Sequence, residues 1–189
     1  MNSLHTIEIV YIDEATMNEI GEFPIDRSYY AQLISEIQKQ GPAAVVLKFF
    51  FDQPSPNDDV LASELAKYDN IITQISVSST SDAVPASQIE NVERVAIFAA
   101  TDSRYTFDSV ELPTEILLNH FSGFGIVIVE VDDHRYVDYP LYATVDKYTV
   151  PSIALETVAL ITGSEPHNNA EIIADGINTV LKNIELCSV

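Results

Sequence analysis

The chain has 189 residues and a mass of 20.9 kDa, with 47% hydrophobic and 20% charged residues and only 6 Gly and 9 Pro. That is the length of one domain with enough apolar material for a core, and it excludes a disordered, collagen-like or linker-dominated chain. The 29 Asp and Glu against 9 Lys and Arg leave a formal net charge of −20, which repels phosphate backbones and anionic lipid surfaces, so nucleic acid is not an expected partner.

A lone Cys187 rules out an internal disulfide and a cysteine-rich metal site. The apolar runs, such as Ala43 to Leu47 and Phe124 to Val129, are far shorter than the roughly twenty residues needed to cross a bilayer. Met1 to Thr6 lacks the basic and then apolar pattern of an export signal, so none is expected within the chain.

Taken in order, Ile7-Glu8-Ile9-Val10-Tyr11-Ile12 is rich in β-branched and aromatic residues and reads as a strand ending at Asp13-Glu14. From Arg27 to Gln40, Tyr30, Leu33, Ile34 and Ile37 form one apolar stripe of a helix, with Asp26 as its N-cap and Gly41-Pro42 as its stop. Ala43 to Phe51 is nearly continuous in apolar residues, as in a strand buried on both faces, and Lys48 is its only charge. Asn57-Asp58-Asp59 opens a second helix carrying Leu61 and Leu65, where the helix dipole favours acids. Ile71 to Val77 is the next strand, and this alternation predicts parallel pairing through helical crossovers.

Ser78 to Glu90 reads as a loop, Val92 to Ala100 as a strand, Thr101 to Leu112 as irregular chain and Pro113 to Phe121 as a short helix. Phe124 to Val131 and Tyr136 to Tyr142, joined by Asp132-Asp133-His134-Arg135, form a hairpin candidate. Ser152 to Thr162 is predicted to be a buried helix, and the segment 163–189 to be helical, chiefly over Ala170 to Ile184, with a strand from Thr179 as the alternative. The fold class is thus α/β, a mixed and mostly parallel sheet with flanking helices in a single domain.

Several segments together resemble the CHASE type two domain, the cyclase- and histidine-kinase-associated sensory extracellular domain. They are residues 9–14 (IVYIDE), 21–27 (GEFPIDR), 30–34 (YAQLI), 41–46 (GPAAVV) and 51–58 (FDQPSPND), followed by Gly123-Phe124-Gly125, the 132–135 turn with Pro140-Leu141, and residues 151–155 (PSIAL). In order, they span about residues 7–162. The resemblance implies a non-catalytic sensory input domain, extracellular or periplasmic, that is normally anchored in a membrane receptor with a cyclase or kinase output domain. Two positions depart from the family pattern: Lys48 stands where an aspartate is usual and Phe23 where a tryptophan is usual. A free-standing small-molecule-binding protein, cytoplasmic if complete, is the second reading, and a carboxylate-based hydrolase the third. Any of them is compatible with a homodimer.

Three constellations bear on chemistry. Asp13, Lys48 and Asp52, placed at strand ends on one sheet edge, could bind a zwitterionic or amine-bearing small molecule. The competing and favoured reading is a structural ion pair of Lys48 with Asp13, because buried charges are normally paired. Arg27 stands at the end of a helix dipole that disfavours a cation, so a pair with Asp13 or Glu14 is expected to clamp the Gly21-to-Asp26 loop. Asn57-Asp58-Asp59 and Asp132-Asp133 lack the alternating spacing of a calcium loop, and His5, His120, His134 and His167 lack zinc-ligand spacing, so no metal is expected. No phosphate loop, nucleophile elbow or dinucleotide turn is present, so no cofactor and no catalytic residue is assigned.

Overall fold

The computed structural model of the chain describes residues 7–21, 23–80, 84–96, 98–99, 103–128, 130–132, 135–138 and 140–163. Its first helix is α1 (Glu14–Ile20). Asp13 starts this helix by accepting from the amide of Thr16 at 2.8 Å and from Thr16 Oγ1 at 2.7 Å. The cap satisfies one of the amides that a first helical turn leaves without an intrahelical partner. The strand expected over Ile7–Ile12 is not formed. The segment pairs with no described strand and Ile7 is 89% exposed, because β-branched composition makes a strand only where a neighbour supplies the ladder.

α2 (Arg27–Gln38) follows the expected stripe, with Tyr30 and Ile34 buried and Ile37 packed against the same core. Asp26 caps it through the Ser28 amide, and Gly41 turns the chain out of it at φ 65°, the left-handed region that favours glycine. The apolar run after it yields only β1 (Val45–Leu47), in which Val45 and Leu47 are buried and Val46 is 40% exposed. The expectation of burial on both faces is corrected here: β1 is the outer strand of its sheet, and it alternates. α3 (Asp58–Leu65) buries Leu61 and Leu65 completely and packs on α2. The expected strand over Ile71–Val77 divides at Ile75 into β2 (Ile71–Gln74) and β3 (Ser76–Ser78).

The remaining elements are β4 (Phe98–Ala99), β5 (Thr106–Phe107), β6 (Ser109–Glu111), α4 (Glu115–Leu118), β7 (Gly123–Gly125), β8 (Glu130–Asp132), β9 (Arg135–Asp138), β10 (Tyr142–Val145), β11 (Tyr148–Pro151) and α5 (Ile153–Thr162). β1, β2 and β7 form a parallel sheet in that order, with Val45 opposite Ile71 and Ile72 opposite Gly123. A second, mixed sheet runs β4-β11-β10-β5, while β3 with β6 and β8 with β9 make antiparallel pairs. The mixed α/β class read from the sequence is therefore observed.

Its details differ in the middle of the chain. Val92–Arg94 is a single 3₁₀ turn with only β4 after it, and the stretch expected to be irregular contains β5 and β6. The hairpin pairs Asp132 opposite Arg135, but its first arm is divided: β7 joins the parallel sheet and only β8 pairs with β9. α5 is capped by Ser152, whose Oγ accepts from the Leu155 amide at 3.2 Å, and it is mostly half-buried rather than buried. The helix expected over Ala170–Ile184 lies outside the described residues.

α5 packs directly on β7. A Cβ on Gly125 would run into the backbone of Ile153, so only glycine allows this approach. The two elements are joined there by the Ile126 amide donating to Pro151 O at 2.9 Å and the Ile153 amide donating to Ile126 O at 3.0 Å.

Candidate functional site

The most connected polar group in the described structure is built where α2 and α3 begin. Arg27 is the first residue of α2 and Asp58 the first of α3; they are 5% and 8% exposed. Arg27 Nε donates to Asp58 Oδ1 at 2.9 Å, and Arg27 Nη2 donates to Gln53 O at 3.1 Å. The second carboxylate oxygen of Asp58 accepts from the Ser55 amide at 3.0 Å. One buried ion pair thus ties both helix starts to the connection over residues 52–57.

Asn57 extends the tie. Standing at φ 63° before α3, it donates from Nδ2 to the two carboxylate oxygens of Asp26 at 3.0 and 2.9 Å. Hydrogen bonds from the Ser28 hydroxyl and amide, then from Asn57, hold the Asp26 carboxyl below its ordinary range. The Arg27 guanidinium carbon also lies 4.8 Å from the Phe51 ring centroid, and Phe51 packs edge-on against Tyr30 at 5.4 Å. Burial raises the Tyr30 phenol above its ordinary value, with the Arg27 charge working the other way.

The expected partners of Arg27 are corrected here. Arg27 pairs with Asp58, not with Asp13 or Glu14; Asp13 spends its carboxylate on Thr16, whose amide and hydroxyl hold it below its ordinary range. The sequence reading finds the need for an acid at Arg27 and places it in the wrong segment. Asp58 is assigned to the dipole of α3, although its position at a helix start that packs on α2 serves both the dipole and the cation.

The three candidate ligand residues are placed as follows. Lys48 is exposed, one residue beyond β1, and no hydrogen bond or ion pair joins it to Asp13 or Asp52 among the described residues. The expected interior pair of Lys48 with Asp13 is therefore absent. Its premise, a strand over Ile7–Ile12 delivering Asp13 to the sheet edge, is not met. Asp52 is half-buried in the clamped connection and accepts from Gln53 Nε2 at 3.1 Å.

Glu156, which the sequence reading does not single out, is a half-buried acid whose Oε2 has no partner among the described residues. It lies on α5 against Gly123, where a Cβ would stand 2.5 Å from Glu156 Oε1, and its Oε2 makes no hydrogen bond. Burial pushes its carboxyl up to about 7. The signal was present in the sequence: it is the only charged side chain in the stretch Ile153–Thr162.

The parallel sheet, its outer strand ending in a firmly held connection, and the second, mixed sheet make a mixed α/β domain, in which Lys48, just past β1, is exposed while Ile75 and Ile126, just past β2 and β7, are buried. The sequence model of the CHASE2 domain matches residues 1–186, nearly the whole chain, and the chain belongs to that family. CHASE2 domains are sensory extracellular domains of signalling receptors with cyclase or kinase output domains, generally non-catalytic and typically extracellular or periplasmic. No curated protein and no solved structure matches the chain. Among the described residues, no helix is long and apolar enough to cross a membrane, and no group of three His, Cys, Asp or Glu is placed to hold a metal ion.

Proposed function

We propose that this chain is the non-catalytic input domain of a membrane signalling receptor, lying outside the membrane and controlling a cyclase or kinase output domain of the same parent. Family membership over residues 1–186 supports the class. The location of the signal site is supported by Lys48 and Asp52 both lying on the connection that leaves the carboxyl end of β1. Lys48 is exposed there and makes no ion pair among the described residues, on a connection held further along by the buried Arg27–Asp58 pair.

A cation and an acid on one anchored loop suit a small zwitterion or a primary amine, whose charges they would meet with opposite signs. The clamp holds the loop in place before binding, which lowers the ordering cost of recognition. The test is a thermal-shift panel of free amino acids and primary amines on the 189-residue chain. A ligand at about a hundred times its Kd stabilises the fold by roughly 2.7 kcal/mol. The expected result is a shift that Lys48→Met and Asp52→Asn each abolish without lowering the Tm of the unliganded protein. A shift that survives both substitutions would move the signal site elsewhere.

A further inference from the structure

Among the described residues, β1 leaves one edge of the parallel sheet unpaired. The Val45 amide donates to Asn70 O at 2.8 Å, so Val45 and Leu47 direct their backbone groups toward β2. Backbone groups alternate sides along a strand, so the N–H and C=O of Val46 point outward, where no described residue meets them. Such an edge is a template for another strand.

The same chain carries an unpaired segment of strand composition. Ile7–Ile12 has the composition of a strand and its backbone makes no hydrogen bond among the described residues, while Ile7, Ile9, Val10 and Tyr11 stand exposed. In its own chain the segment runs straight into α1, and it does not pair with β1.

We propose that two copies of this domain associate by strand exchange, Ile7–Ile12 of one copy adding to the outer edge of β1 in the other, and reciprocally. Antiparallel pairing with Val10 opposite Val46 brings Tyr11 opposite Val45 and Ile9 opposite Leu47, on the face that β1 turns to the core. The same register sets Glu8 opposite Lys48, an exposed cation on the edge of a molecule with net charge −20, whose ammonium carries three donors and can meet Glu8 and a ligand's carboxylate together. Copies of so acidic a chain repel each other, and this opposed pair offsets the repulsion where the strands meet. A slip of one residue would turn Glu8 onto the core face, so the register is specified. Reciprocal exchange closes the pair on a two-fold axis.

Light scattering on the 189-residue chain, with Val46→Pro as the variant, tests the association. Proline removes the outward N–H and leaves the bonds to β2 in place. The expected result is a dimer that Val46→Pro weakens roughly tenfold, the equivalent of one or two lost hydrogen bonds.

Crosslinking tests the register, independently of whether Val46→Pro folds. Val10→Cys and Val46→Cys proteins, each carrying Cys187→Ser, are mixed and oxidised. Directly opposed residues lie about 5.5 Å apart, within disulfide reach. A mixed disulfide dimer in excess of either protein alone supports the exchange. A monomeric wild-type chain with no mixed disulfide overturns it. An intrachain disulfide in the doubly substituted Val10→Cys, Val46→Cys chain that persists on dilution also overturns it, since the segment would then pair with its own β1.

Discussion

Glu156 makes the stability of this domain depend on pH in a direction opposite to that of an ordinary surface carboxylate. Its carboxyl is raised from 4.5 to about 7 by burial, and Oε2 has no hydrogen bond to offset the loss of water. β7 and β2, against which α5 packs, carry no titratable side chain, and β11 carries only Tyr148. Between pH 4.5 and about 7 the folded state therefore holds a proton that the unfolded state has lost. Stability from this group is fully present below pH 4.5 and falls by about 1.4 kcal/mol per pH unit as pH rises through that window. The loss reaches roughly 3 kcal/mol above pH 7 and then levels off, which corresponds to about 6–12 °C in Tm for a chain of this size.

Glu156→Gln keeps the shape and removes the titration. Urea unfolding of both proteins at pH 5 and at pH 8 reads the effect as a difference, so that the other carboxylates cancel. The two proteins should be nearly equal at pH 5, with the variant more stable by up to about 3 kcal/mol at pH 8, less the cost of burying an unpaired amide. Parallel pH profiles for the two proteins would refute the reasoning and show that Glu156 is solvated.

Three further outcomes are expected. Arg27→Met should cost about 3–5 kcal/mol in urea unfolding, because Asp58 is left buried without its cation, and adding Asp58→Leu should recover part of the loss; a cost under about 1 kcal/mol would show the clamp to be ornamental. Gly125→Ala should lower stability by about 1–3 kcal/mol or more by prising α5 from β7, and an unchanged Tm would contradict the close approach of Ile153. Lys48→Met should change stability by less than about 1 kcal/mol, since this exposed side chain makes no ion pair among the described residues; a larger loss would place it in the interior after all.

The sequence by itself determined the features that depend on near neighbours. The stripe of Tyr30, Ile34 and Ile37, the cap at Asp26, the exit at Gly41, and Leu61 with Leu65 on α3 all follow from helical spacing and from backbone groups within a turn or two. The strand-helix-strand alternation after them was enough to predict parallel pairing of β1 with β2. The order of the CHASE2 segments was equally legible, because a family pattern is itself a property of sequence. Only the tertiary structure decided which acid meets Arg27, that Lys48 is exposed, that Glu156 packs against a glycine, and that Ile7–Ile12 has no neighbouring strand among the described residues. Each of these rests on whether segments far apart in the sequence meet. A strand needs a partner to donate its hydrogen bonds and a buried charge needs a partner to neutralise it, and local composition states the need without naming what meets it.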